Sequence, residues 1–143
     1  MSRLVAGVLA ISTLVLSGCL TGGKQSTALA PDPSSEEIAA RIIAAMNGGL
    51  VAGPVGANLT ESEKRRALEA EYRALEYTPA GEAVAWGAEG GSSGYGEVTA
   101  RQPYSVGSQN CRQYKLTVTA KGRTQEARGT ACRNEDGSWT PLA

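Results

Sequence analysis

No histidine and no phenylalanine occur in this 143-residue chain. The first absence removes every Ser–His and Cys–His nucleophile pair and every imidazole metal ligand at once. Large rings are scarce, with two Trp and five Tyr making up 5% of the residues. A core so poor in rings is small and calls for an external staple. An excess of charge of one sign is lacking as well. The 14 Lys+Arg balance 14 Asp+Glu, which leaves no electrostatic footprint for a nucleic-acid backbone. At this length the chain supports one ordinary domain. Ser92-Ser93 sits in a glycine-rich stretch without a base, and residues 87–96 lack the lysine and the strand-to-helix setting of a phosphate loop. The expectation is no catalysis, no cofactor, no metal and no nucleic acid.

What is present first is an address. Arg3 opens the chain with positive charge, and residues 4–16 form an uncharged run dense in Leu, Val, Ile and Ala. Such a run has the length of a signal peptide and is too short to cross a bilayer as a helix. It ends in Leu16-Ser17-Gly18-Cys19, which resembles the lipobox of bacterial lipoproteins at all four positions. That resemblance implies diacylglycerol on the Cys19 thiol, cleavage between Gly18 and Cys19, and acylation of the new amino group with a chain such as palmitate. Several acyl chains on one residue anchor stably where a single chain is marginal. Leu20 stands where Asp would resemble an inner-membrane retention signal. The expected location is therefore the cell outer membrane, on its periplasmic or its surface face. An ordinary cleaved signal and an uncleaved anchor are the competing readings. Residues 19–35 hold Gly, Ser, Thr, Gln and Pro and little to bury; they read as a flexible tether reaching on the order of 20 Å.

The cysteines divide into one plus two. Cys19 is accounted for by the lipid, which leaves Cys111 and Cys132 to pair in an oxidising compartment. Their setting supports the pair. Tyr114, Leu116, Val118 and Ala120 alternate with Gln113, Lys115, Thr117 and Thr119, the period of a strand. If Lys121-Gly122 is a two-residue hairpin loop, Ala120 faces Arg123 and Cys111 falls opposite Cys132. That site is of the non-hydrogen-bonded kind, where Cα atoms approach to about 4.5 Å. Leu116 then covers Ala127 and Tyr114 covers Gly129. A three-residue loop with Gly122 left-handed would set Cys111 against Ala131 and Leu116 against Glu126. Lys is not a favoured first residue of the shorter loop, so both turns stay open, as does a pair of free buried thiols. A bridge would close a loop of about 22 residues and contribute roughly 3 kcal/mol in the chain-entropy picture.

Two helices precede the strands. Ser34-Ser35-Glu36-Glu37 fits a capping box ahead of Ile38, Ile42, Ala45 and Met46 at helical spacing, and Asn47-Gly48-Gly49 stops them. Residues 36–59 thus hold a short helix and a glycine-rich segment. Gly49 and Gly53 make a GxxxG step, read either as a vestigial glycine zipper touching membrane or partner, or as a tight loop between helices. Thr60-Glu61-Ser62-Glu63 is a second capping box, opening a charged amphipathic helix over residues 60–78. Leu68, Tyr72 and Leu75 form its apolar stripe. Glu61, Glu63, Lys64, Arg65, Arg66, Glu69, Glu71 and Arg73 are assigned to its solvated face. Thr78-Pro79-Ala80-Gly81 ends it. Residues 79–143 read as β, with strands over 82–86, 95–101, 111–120, 123–132 and 138–140 and a loop over 88–94. The fold class is α+β: one or two N-terminal helices, then a small antiparallel sheet of about 4–5 strands with a disulfide-stapled hairpin. Trp86, Tyr114 and Trp139 are the candidate aromatics, for core packing or for stacking on a ligand.

Several of these segments together resemble a family. Leu75-Glu76-Tyr77-Thr78-Pro79-Ala80-Gly81 through Trp86 is the first, and Cys111-Arg112-Gln113-Tyr114 the second. The third is Gly122-Arg123-Thr124-Gln125-Glu126-Ala127-Arg128-Gly129-Thr130-Ala131-Cys132-Arg133, and Asp136-Gly137-Ser138-Trp139 completes the set. In order and spacing, over roughly residues 48–140, they resemble the rickettsial 17-kDa surface antigen family of outer-membrane lipoproteins. Pro54 and the small number of glycines depart from that family's zipper. The resemblance implies envelope location and antigenicity and carries no reaction. The expected role is that of an outer-membrane-anchored lipoprotein, structural or protein-binding. Its partners would be the lipid bilayer, through acylated Cys19, and an envelope protein not named by the sequence. The alternative is a periplasmic inhibitor or binding module acting on an envelope hydrolase through the 88–94 loop. A third reading uses the charged helix as an assembly factor.

Overall fold

The computed structural model describes residues 35–90 and 92–142. The expected signal, the lipobox, most of the tether and the Ser34 cap lie outside the described residues. The first helix, α1 (Ser35–Ala45), stops where Asn47, Gly48 and Gly49 take φ of 47°, 81° and 62°. Only a residue without a Cβ fits at Gly49, because a side chain there would meet the Glu71 carboxylate and the Leu68 methyls. The chain then makes two 3₁₀ turns, Leu50–Ala52 and Pro54–Gly56. Gly49 and Gly53 therefore do not stack on one helix face, and the zipper reading is corrected. Val51, Val55 and Leu59 join the domain's own core, and the stretch is a tight inter-helix loop.

The second helix, α2 (Glu61–Glu76), starts on the capping box expected at Thr60 and Glu63. Thr60 N–H donates to Glu63 Oε2 at 2.7 Å, and Glu63 N–H donates to Thr60 Oγ1 at 3.3 Å. Its buried face is made of Ala67, Leu68, Ala70, Ala74 and Leu75. At its end Thr78 Oγ1 donates to the Arg73 carbonyl at 2.9 Å.

Six strands follow: β1 (Ala83–Trp86), β2 (Tyr95–Ala100), β3 (Tyr104–Val106), β4 (Gln109–Ala120), β5 (Arg123–Arg133) and β6 (Trp139–Pro141). They form one antiparallel sheet in the order β1-β2-β4-β5-β6, with β3 beside β4. The strand absent from the sequence reading is β3. It is three residues long and exposed throughout, so it carries no buried alternation to detect. β2 and β3 lie along the same edge of β4, but the line is broken. Ala100 pairs with Tyr114 and Tyr104 with Cys111, so Arg101-Gln102-Pro103 stands opposite Arg112-Gln113. The extra residue is a bulge, and Pro103 suits it because a proline has no N–H to give the ladder.

The hairpin settles in the shorter-loop register. Cys111 pairs with Cys132, Tyr114 with Gly129, Leu116 with Ala127 and Ala120 with Arg123. Lys121 and Gly122 both take positive φ, 52° and 73°, the two-residue turn whose twist matches the strands. Lys121 accepts that conformation although it has a Cβ. Cys111 and Cys132 are bonded, their Cα atoms 3.9 Å apart. Val84, Trp86, Val98, Tyr114, Leu116, Val118 and Trp139 point to one face of the sheet and share a core with α2. No helix covers the other face among the described residues. β5 pairs with β6 only from Ala131 to Arg133, which leaves the edge around residues 124–128 free.

The bridge generates a measurable expectation. Replacing both cysteines, Cys111→Ser with Cys132→Ser, should lower stability by about 3 kcal/mol, read as an earlier urea midpoint. Cys111→Ser alone should also give dimers that run apart only after reduction. An unchanged midpoint would exclude a stabilising bridge.

Candidate functional site

Polar side chains around α2 hold the main chain of its neighbours. Glu63, assigned to the solvated face by its periodicity, is 6% exposed. It accepts the Gly94 N–H at 2.7 Å as well as the Thr60 N–H. These backbone donors hold its carboxyl below the usual range. Glu71, assigned to the same face, is fully buried. It accepts N–H from Leu50 at 2.8 Å and Val51 at 3.0 Å, the bare start of the first 3₁₀ turn. Burial pushes its carboxyl up to about 7 against the pull of those two donors. The Tyr114 hydroxyl lies beside it, outside the geometry of a full hydrogen bond.

Arg112 was quoted above only as part of a segment, yet it ties helix to sheet. It is 6% exposed and has no ion pair among the described residues. Its Nη1 donates to the carbonyls of Ala74 (2.9 Å), Leu75 (2.7 Å) and Thr78 (3.1 Å). Its Nε donates to the Arg101 carbonyl at 2.7 Å. A cation on the last carbonyls of a helix is favoured by the helix dipole. Glu76 finishes the frame: Arg133 grips it with two hydrogen bonds of 2.8 Å, and Trp139 Nε1 donates to it at 2.8 Å.

The sequence-derived candidates fall in three places. Gly18 and Cys19 lie outside the described residues. Cys111 and Cys132 are joined and sit at one end of the uncovered face. Trp86, Tyr114 and Trp139 are gathered on the core face at 5%, 3% and 3% exposure, which commits their rings to packing. Among the described residues no group of three or more His, Cys, Asp or Glu could hold a metal ion. Nor is any helix there long and apolar enough to cross a membrane.

The uncovered face has a shape of its own. A groove of about 1050 Å³ runs over it, lined among others by Thr99, Arg101, Gln102, Tyr104, Gln113, Lys115, Arg128 and Thr130. The register explains the lining. Thr99, Lys115 and Arg128 are one row across β2, β4 and β5, and Gln113 and Thr130 belong to the next. Arg101 joins the second row through its N–H to the Gln113 carbonyl at 2.8 Å. The bulge and β3 set Gln102 and Tyr104 at its end. None of these residues stood out in the sequence, because an exposed polar face has no periodic signal beyond its alternation.

Comparison with known proteins bears on this same region. The profile of the family described as 17 kDa outer membrane surface antigen matches residues 73–140. Over that region the chain is similar to the 17 kDa surface antigen family. The 17 kDa surface antigen of Rickettsia bellii (strain RML369-C) is 40% identical over 86 residues, covering 59% of this chain and 54% of the relative. That of Rickettsia felis is 43% identical over 84 residues, covering 57% and 51%. The chain thus spans about half the length of the curated relatives it matches. No solved structure matches it. The matched region takes in β1 to β5, most of β6, the disulfide, Arg112 and the groove, whereas Gly49, Glu63 and Glu71 precede it.

Two expectations follow from the buried charges. Burial raises the pKa of Glu71 in the folded state, so the folded chain binds its proton more tightly than the unfolded chain does. Its favourable contribution is complete below about pH 4.5 and fades as pH rises to about 7, a fall on the order of 3 kcal/mol. Urea midpoints across that range should slope downward, and Glu71→Gln should flatten the slope. Glu63 and Glu76, with lowered values, act in the opposite sense and only below that window. Arg112→Ala should cost about 3 kcal/mol by stranding buried carbonyls. Arg112→Lys should recover only part, since an ammonium lacks the planar fork.

Proposed function

We propose that the chain is an outer-membrane lipoprotein, held by acylated Cys19, whose stapled sheet presents a rigid and non-catalytic binding face within the cell envelope. The observation that carries this reading is the coincidence on one chain of Leu16-Ser17-Gly18-Cys19 with a region similar to the outer membrane surface antigen family. The relatives are named surface antigens, which supports a role at the envelope surface. The absence of histidine from the whole chain supports a role without acid–base chemistry. So does the engagement of Glu63, Glu71 and Glu76, since each carboxylate is already spent on main-chain or side-chain donors of the fold. Cys111–Cys132, Arg112 and the Glu76–Arg133 pair supply the rigidity that a preorganised face needs.

The test is the intact mass of the protein extracted from native membranes, with thiols alkylated before and after reduction. The expected species begins at Cys19, carries acyl chains, and takes up two alkyl groups only after reduction. Cys19→Ser should accumulate as unlipidated precursor. A mass that retains Met1, or normal lipid labelling of the Cys19→Ser variant, would overturn the anchor.

A further inference from the structure

We infer that the uncovered face of the sheet binds an anionic glycan, a chain of sugar rings bearing spaced carboxylate or phosphate groups. This rests on reading the domain as a binding module of the envelope, and it puts a polysaccharide where the sequence suggested a protein partner.

Charge is the first argument. In a chain with no net charge, the groove collects Arg101, Lys115 and Arg128 and has no acidic residue in its lining. Arg101 has no ion pair among the described residues. Lys115, at 3.4 Å, and Arg128, through both Nε and Nη2 at 2.7 Å, share one carboxylate, Glu126. That cluster is solvent-exposed, and such pairs are weak enough to exchange partners. The two guanidinium forks match carboxylate and phosphate in a plane.

Pattern is the second. The row after Thr99–Lys115–Arg128 is Glu97–Thr117–Glu126, so a basic row is bounded by an acidic one. A uniformly charged polymer is repelled at that boundary, while a chain with uncharged stretches between its anions is not. Gln102 and Gln113 amides and Thr hydroxyls offer donors and acceptors to sugar hydroxyls. Tyr104, 42% exposed at the groove's end, provides a ring face with a polar tip.

Geometry is the third. The rows cross the strands, so a peptide laid in the groove would find no main-chain ladder. It would find one at the free edge of β5 instead. No Leu, Ile, Val or Met lines the groove, so it lacks the aliphatic anchors that a docked amphipathic helix packs against.

The test uses the full chain in detergent micelles, titrated calorimetrically with a hyaluronan oligosaccharide, whose carboxylates stand on alternate sugar rings, with dextran of equal length and with poly-L-glutamate. The hyaluronan oligosaccharide is expected to bind about tenfold or more tightly than either control, and to weaken as salt rises. Arg101→Gln combined with Arg128→Gln should reduce its affinity at least about tenfold, and Tyr104→Ala should reduce it by a factor of several. Urea midpoints should stay where they were. Equal or tighter binding of poly-L-glutamate would overturn the glycan in favour of an acidic peptide. Equal binding of dextran, unaltered affinity in the variants, or no binding at all would overturn the site. None of these results alters the mass expected at Cys19, so failure here is distinct from failure of the anchor.

Discussion

The Arg112 guanidinium is held in the interior by carbonyls alone, two from the last turn of α2, one from Thr78 just past it and one from the bulge after β2. Burying a cation is costly. The cost is offset because the carbonyls at a helix C-terminus are otherwise unpaired and carry the negative end of the dipole. One side chain thereby fixes the helix against the sheet and the bulge against the helix. Its neighbour Cys111 is bonded to Cys132, so the strand that carries the guanidinium has little freedom to slide. The position of Arg101 and Tyr104 on the opposite face follows from this, since both belong to the bulge and the short strand it launches.

The same logic runs along the rest of α2. Glu63 receives the chain as it enters β2, Glu71 receives the start of the first 3₁₀ turn, and Glu76 receives Arg133 and Trp139. A small core with few rings is supplemented by polar groups reaching from a helix to the main chain around it. Gly49 and Glu71 are complementary halves of one such contact, because the missing Cβ is what admits the carboxylate.

Much of this was legible in the residues, and the limits are physical. Alternation and the spacing of Cys111, Cys132 and Lys121-Gly122 pointed toward the observed hairpin register, while the turn stayed open because Lys is not a favoured first residue of a two-residue loop. The Thr60–Glu63 cap followed from residue type at fixed offsets. Glu71 was misassigned because a carboxylate is ordinarily solvated, yet it lies between Leu68 and Leu75 on the apolar stripe, and that position was the available signal. Arg112 likewise sits two residues before Tyr114, on the strand's core face. What would satisfy these charges comes from segments distant in sequence, which periodicity does not report. β3 left no trace because nothing about it is buried. The groove depends on a bulge, and bulges displace a register without changing composition.

The stapled hairpin also bears on how the chain reaches its fold. A two-residue turn brings its strands together by local contact, on the microsecond scale, well before oxidation. In the paired register the two thiols share one side of the ribbon. In a register shifted by one residue Cys132 points to the other side, and no bond can form across the sheet. Oxidation therefore acts as a covalent proofreading step. It seals the alignment that places Leu116 and Val118 inward and leaves misaligned hairpins open to unzip and try again.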